Sequence, residues 1–170
     1  MSVTYGAKGT TMKADPKYHD ILRIAVGATI PASGGLVFSP WADMAGMAAI
    51  WATMIGSIFK KSGREIDRET AMRLATAATT GIASYLGTVK IFNWAIMFIP
   101  GGIIASLGMN AVINSYFTYR LGKYTAIQLE KHGMKLDDLG EFMGDVLKLV
   151  FAFNPGDLGE VVELLVDAAA

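Results

Sequence analysis

Apolar residues along this chain fall into two long blocks almost free of charge, followed by a shorter stretch in which apolar and charged residues alternate with a helical period. Between Ile24 and Phe59 the one formal charge is Asp43, and between Leu74 and Tyr119 it is Lys90. The segment between the blocks gathers Lys60, Lys61, Arg64, Glu65, Asp67, Arg68, Glu69 and Arg73. Each block is interrupted near its middle by helix-stopping residues, Pro31, Gly34, Gly35 and Pro40 in the first and Pro100, Gly101 and Gly102 in the second. Each block therefore predicts a helical hairpin, with helices over residues 18–30, 40–61, 67 to 88 or beyond, and 102–132. Ser39 suits the cap of the second helix, with Pro40 at its first position, and Asp67 suits the cap of the third. Gly63 and Gly133 are the stop signals of the second and fourth.

Beyond Gly133 the pattern changes. Leu136, Leu139, Met143, Val146, Leu147 and Val150 recur at helical spacing, with Asp137, Asp138, Glu141, Asp145 and Lys148 between them, which predicts an amphipathic helix. Asn154 and Pro155 open a last helix whose Asp157, Glu160 and Glu163 lie toward its positive N-terminal end. Strand signals are thin, since Val and Ile are scattered among Ala, Met and Gly without period-two alternation. The expected fold is all-α, a bundle of two apolar helical hairpins followed by two C-terminal amphipathic helices. It divides into an N-terminal tail (1–20), an apolar hairpin domain (21–133) and the amphipathic pair (134–170), packed as one unit.

Composition adds an environment. Hydrophobic residues make up 52% and charged residues 18%, against about 45–50% and about 25% in ordinary soluble domains, so some apolar surface has to meet lipid or another subunit. Fifteen basic residues balance fifteen acidic ones, which leaves no global field to attract nucleic acid. The absence of cysteine excludes disulfides, thiolate zinc sites and cysteine nucleophiles. The first 20 residues carry Lys8, Lys13, Asp15, Lys17 and Asp20 and no clean apolar core, so they do not read as a signal peptide, and a cytoplasm-facing chain is expected.

A membrane-spanning helix needs about 20 apolar residues. Residues 40–59 nearly meet this, 74–100 do so if Lys90 is tolerated, and 102–119 are slightly short. With both blocks as hairpins, Lys8, Lys13, Lys17 and Arg23, the central basic segment, and Arg120, Lys123, Lys131 and Lys135 fall on one side, as the positive-inside rule asks; any stack of hairpins in water does the same. Trp41, Tyr116, Phe117, Tyr119 and Tyr124 are placed where an interfacial aromatic belt would lie. Small residues from Ala42 to Gly56 and from Ala75 to Ala83 permit close helix contact in lipid and in a tight bundle alike.

No catalytic constellation emerges. His19 and His132 lie in separate regions with no metal-ligand spacing, the acids near Asp67 are surrounded by basic residues, and Gly122-Lys123-Tyr124-Thr125 is not a phosphate loop because position 117 is Phe where that motif needs glycine. Neither a metal nor a cofactor is expected. The polar residues of interest are Asp43 and Lys90, each isolated in an apolar block, and Asn110 and Asn114, one helical turn apart and suited to hydrogen-bonding between helices. Asp43 reads first as a helix-start acid and Lys90 as a residue extending to water. Lys60, Lys61, Arg64, Arg68 and Arg73 are the candidate contacts for anionic lipid headgroups.

The order of these signals carries a resemblance. A Pro-x-x-Asp turn (Pro40 to Asp43) opens a helix with Met44, Met47, Ile50, Met54 and Ile55. It is followed by residues 67–86, by Ile99-Pro100-Gly101-Gly102, and by Met109-Asn110-Ala111 and Ser115-Tyr116-Phe117. Over residues 20–132 this resembles the hydrophobic helical domain of unknown function attached to some Era-like small GTPases and found in YcjF-type bacterial inner-membrane proteins. The resemblance implies a membrane-associated, self-associating scaffold or sensor without catalytic activity at the cytoplasmic face of a bacterial inner membrane, with a GTPase as possible partner. The alternative expectation is a soluble cytoplasmic homo-oligomer that binds an apolar ligand or partner helix between its hairpins.

Overall fold

A computed structural model describes the backbone of residues 14–35, 40–96, 102–132, 139–152 and 154–169, and side chains within 14–31, 45–82, 111–131, 139–152 and 154–166. Among these residues the chain forms a short 3₁₀ turn (Pro16–Tyr18) and six α-helices: α1 (His19–Gly35), α2 (Pro40–Lys61), α3 (Arg68–Ile96), α4 (Gly102–His132), α5 (Leu139–Phe151) and α6 (Pro155–Ala169). No strand occurs among them, so the fold is an all-α bundle.

The local signals act as their chemistry requires. Asp67 caps α3, its carboxylate accepting from the Thr70 N–H at 2.7 Å and from the Thr70 hydroxyl at 2.9 Å. Asn154 caps α6 by accepting from the Gly156 N–H at 3.0 Å, with Pro155 at the first helical position. Gly63 adopts φ +77° after α2; the Arg64 N–H reaches back to the Phe59 carbonyl and the Gly63 N–H to that of Lys60, which satisfies carbonyls the helix end leaves open.

One boundary differs from the prediction. Pro31 does not end the first helix, which continues through it to Gly35. A proline near a helix end removes one donor, aimed at the carbonyl four residues earlier. Helical packing of Leu22, Val26 and Thr29 upstream holds the conformation against that loss. Gly133 and Leu136 lie outside the described residues.

A single core takes side chains from every helix, among them Leu22 and Val26 of α1, Trp51 and Ile55 of α2, Ala75 and Ala78 of α3, Leu121 of α4, Val146 of α5 and Val161 of α6. Tyr18, in what reads from sequence as a tail, is fully buried in it. At the centre runs α4, buried at every position from Phe117 to Ile127 and packed against α1, α2, α3, α5 and α6. A helix enclosed on all sides has no solvent face and so no need of an amphipathic pattern. Gly122 lets α1 and α2 come in close: a Cβ there would sit 2.4 Å from Leu22 Cδ2 and 2.7 Å from Met54 Sδ. No helix among the described residues is long and apolar enough to cross a membrane.

Candidate functional site

The basic segment expected to meet headgroups forms one end of a cleft between α2 and α3. This cavity of about 590 Å³ is lined on its apolar side by Ala49, Ala52, Gly56, Ala71 and Met72 and at its mouth by Lys60, Arg64 and Arg68. The width follows from the small residues: a Cβ on Gly56 would meet only the Ala71 Cβ, 4.0 Å away. Thr53 and Ser57 also line it, but their hydroxyls donate to the Ala49 and Thr53 carbonyls of their own helix, so they add little free polarity. Glu65 and Asp67 stand at the same mouth. The Asp67 carboxyl is committed to the α3 cap, and the hydrogen bonds from Thr70 hold its pKa below the ordinary carboxylate value. Lys60, Lys61, Arg68 and Arg73 are exposed and Arg64 half-buried; Arg73 pairs with Glu69 at 2.6 Å, one turn away on α3. On the other side of α2 a second, apolar groove of about 360 Å³ shares Ala49, Thr53 and Ser57 with the cleft and runs along Ile24 and Ile50.

The remaining predicted site residues do not join the cleft. Asn114 is buried on α4. The side chains of Asp43, Lys90 and Asn110 lie outside the described residues; their backbones stand in α2, α3 and α4. Around Asn114, α4 presents a polar stripe to its neighbours: Ser115 and Thr29 share a 2.7 Å hydrogen bond, and the Trp51 indole donates to Thr118 at 2.7 Å.

A second polar assembly was not foreseen at all. Arg120 and Lys123, expected on the basic side of a membrane, and Tyr119 and Tyr124, expected in an aromatic belt, lie instead inside the bundle with at most 5% of their surface exposed. The reason is the central position of α4, which encloses them. Lys123 Nζ lies 2.8 Å from Asp157 Oδ1 and 3.4 Å from Glu160 Oε2, and Arg120 lies 3.4 Å from Asp157 Oδ2. The Tyr124 hydroxyl donates to Asp157 at 3.3 Å, and Arg120 donates to the Tyr116 hydroxyl at 2.7 Å. Arg120 also donates to the carbonyls of Leu149 and Ala152. The guanidinium thus closes the open carbonyls at the end of α5 while Asp157 occupies the first turn of α6, so each charge meets the helix end whose dipole favours it. Guanidinium and ammonium also stack against tyrosine faces: Arg120 is 5.3 Å and 5.1 Å from the centres of Tyr116 and Tyr124, and Lys123 is 5.3 Å from that of Tyr119. Burial, and after it the Asp157 charge, raises the Tyr124 pKa and keeps its hydroxyl protonated. Arg120, Lys123 and Asp157 are no more than 1% exposed, so these three charges are withdrawn from solvent, and they hold the α5–α6 corner onto α4.

One sequence signal could have found it. Arg120 and Lys123 are three residues apart, as are Asp157 and Glu160, so each pair shares a helix face and the two faces are complementary. No family model, curated protein or solved structure matches the chain.

Proposed function

We propose that this protein is a non-catalytic helical module that attaches to an anionic membrane surface, with the α2–α3 cleft as its contact. The observation that carries this reading is the pairing, in one 590 Å³ cavity, of an apolar floor of Ala49, Ala52, Ala71 and Met72 with a mouth where Lys60, Arg64 and Arg68 outnumber Glu65 and Asp67. An acyl chain fits the floor and its phosphate the mouth, and each basic residue near an anionic surface contributes about 1 kcal/mol of attraction. The resemblance noted above favours the cytoplasmic face of a bacterial inner membrane as the place and a GTPase as a partner. Co-sedimentation with phosphatidylcholine vesicles, with and without phosphatidylglycerol, tests the proposal. Binding should require the anionic lipid, fall as salt rises, and vanish in Lys60→Glu/Arg64→Glu/Arg68→Glu; binding indifferent to lipid charge, or intact in the triple variant, refutes it.

A second reading rests on a different observation. Ile24 is 69% exposed beside the α1–α2 groove, and Leu158, Val162 and Val166 form an exposed apolar line along α6. Covering such surfaces by self-association yields a homo-oligomer, with the groove taking an apolar ligand or a helix. Light scattering on the purified protein should then give a mass above that of one chain, reduced by Ile24→Glu or Val162→Glu; a monomeric wild type dismisses this reading.

A further inference from the structure

We propose that the recess between the 3₁₀ turn, α4 and α6 binds a small alkylammonium ligand, a protonated amine on a short apolar stem. The recess encloses about 280 Å³, with Leu22 and Leu164 among its lining and the carboxylates of Asp15, Glu160 and Glu163 around it. That volume lies just below the range of about 300–1,000 Å³ typical of drug-sized ligands, which fits a molecule of a few carbons.

Carboxylates alone would not make a site; Tyr119 does. Its side chain is nine-tenths buried and lines the recess. The tyrosines before and after it on the same stretch of α4, Tyr116 and Tyr124, both hydrogen-bond within the charged assembly. Tyr119 touches that assembly only through its ring, beneath Lys123, and its hydroxyl has no hydrogen-bond partner among the described residues. A hydroxyl so placed accepts an N–H from an entering ammonium.

The charge balance favours a cation. Glu163 is exposed and makes no ion pair among the described residues. The cations nearest the recess are shared among several acids, Lys17 between Asp15 and Glu130 and Lys123 between Asp157 and Glu160, which leaves Glu163 as the recess carboxylate that an entering ammonium would meet first. A metal ion is a poorer fit: although His19 also lines the recess, no three His, Asp or Glu side chains among the described residues are grouped as a metal would need. The aliphatic lining instead matches a carbon stem.

Calorimetry on the full chain with n-butylammonium chloride as the probe tests this, with n-butanol as the uncharged counterpart and sodium chloride as the salt control. Saturable binding of n-butylammonium and none of n-butanol is expected. Tyr119→Phe and Glu163→Gln should each weaken that binding about fivefold to tenfold, which corresponds to one hydrogen bond of ordinary net strength at a partly solvated site. Glu141→Gln, on the exposed face of α5, should leave it unchanged. Both test substitutions preserve shape, and circular dichroism confirms that the fold persists. Equal responses to n-butanol and n-butylammonium, or affinity unchanged in both variants, overturns the proposal.

Discussion

Asp157→Asn is the most informative single perturbation of this fold, because it removes one charge and almost no volume. The carboxylate lies 2.8 Å from Lys123 Nζ and 3.4 Å from Arg120, and all three side chains are at most 1% exposed. At an effective dielectric constant of about 20, the two attractions come to roughly 6 and roughly 5 kcal/mol before desolvation is charged against them. Most of that sum offsets the cost of burying the ions. The substitution recovers none of that cost, since both cations stay buried and now face each other without the anion between them. Breaking a buried ion pair in this way costs about 3–5 kcal/mol. Glu160 still faces Lys123 at 3.4 Å, and the Leu149 and Ala152 carbonyls still accept from Arg120, which places the expected loss at the lower end, about 3–4 kcal/mol.

For a domain of this size such a loss lowers the thermal midpoint by about 10 °C, and urea unfolding followed by helical circular dichroism measures it directly. Because the site is dry, the loss should persist at high salt, where an exposed pair would be screened. Lys123→Met should cost less, since it leaves Asp157 balanced by Arg120 and hydrogen-bonded by Tyr124. Amide exchange should show α6 opening before α1 to α4 in Asp157→Asn. A loss below about 1 kcal/mol, the level of surface ion pairs, would refute the reasoning, and so would Lys123→Met proving the more damaging.

Four further outcomes follow from local geometry. Gly122→Ala should destabilise by on the order of 1–2 kcal/mol, overpacking against Leu22 and Met54 exceeding the gain in helix propensity, whereas Gly159→Ala on α6, with nothing within 4 Å of the new methyl, should stabilise by about 0.5–1 kcal/mol; midpoints from thermal melts decide both signs. Asp67 has its pKa depressed in the folded protein, so its contribution is present above the ordinary carboxylate value and is lost as pH falls through the lowered one; the gap in thermal midpoint between wild type and Asp67→Ala should close on acidification, and a gap constant from pH 7 to pH 2 contradicts this. Tyr124 has its pKa raised, so the stability it contributes is present below its ordinary value of 10.0 and is lost as pH climbs past it; above that pH the wild-type midpoint should fall more steeply than that of Tyr124→Phe.

What the sequence discloses about this fold is mostly what is local. Asp67, Gly63, Asn154 and Pro155 act within a few residues of themselves, and each sets a helix end where its chemistry places it. Pro31 shows where local reasoning stops: a proline marks a weak point, but packing decides whether the helix goes on. The cleft was half legible, since Lys60, Arg64 and Arg68 cluster in sequence, while the apolar floor beneath them needed α2 and α3 to be laid side by side. The Arg120, Lys123 and Asp157 assembly depends on contacts more than thirty residues apart in the chain, and no window of sequence contains it.

The low charge of α4 has an explanation that does not require lipid. A low charge density suits lipid, yet the stretch from Phe117 to Ile127, packed against five other helices, faces the same demand, since every residue of it is withdrawn from water. The two environments differ in what they ask of the polar residues that remain. In the bundle each finds a fixed partner at a fixed distance: Thr118 for the Trp51 indole, Ser115 for Thr29, Asp157 for Lys123. Such partners come from α1, α2 and α6, so the polar residues of α4 specify which helices pack around it and in what register, a task that apolar packing, being non-directional, leaves undone. The ion pairs at the α5–α6 corner extend the same logic: they contribute little net stability beyond an apolar substitute of the same shape, and what they add is the correct seating of the last two helices in the core they share with the other four.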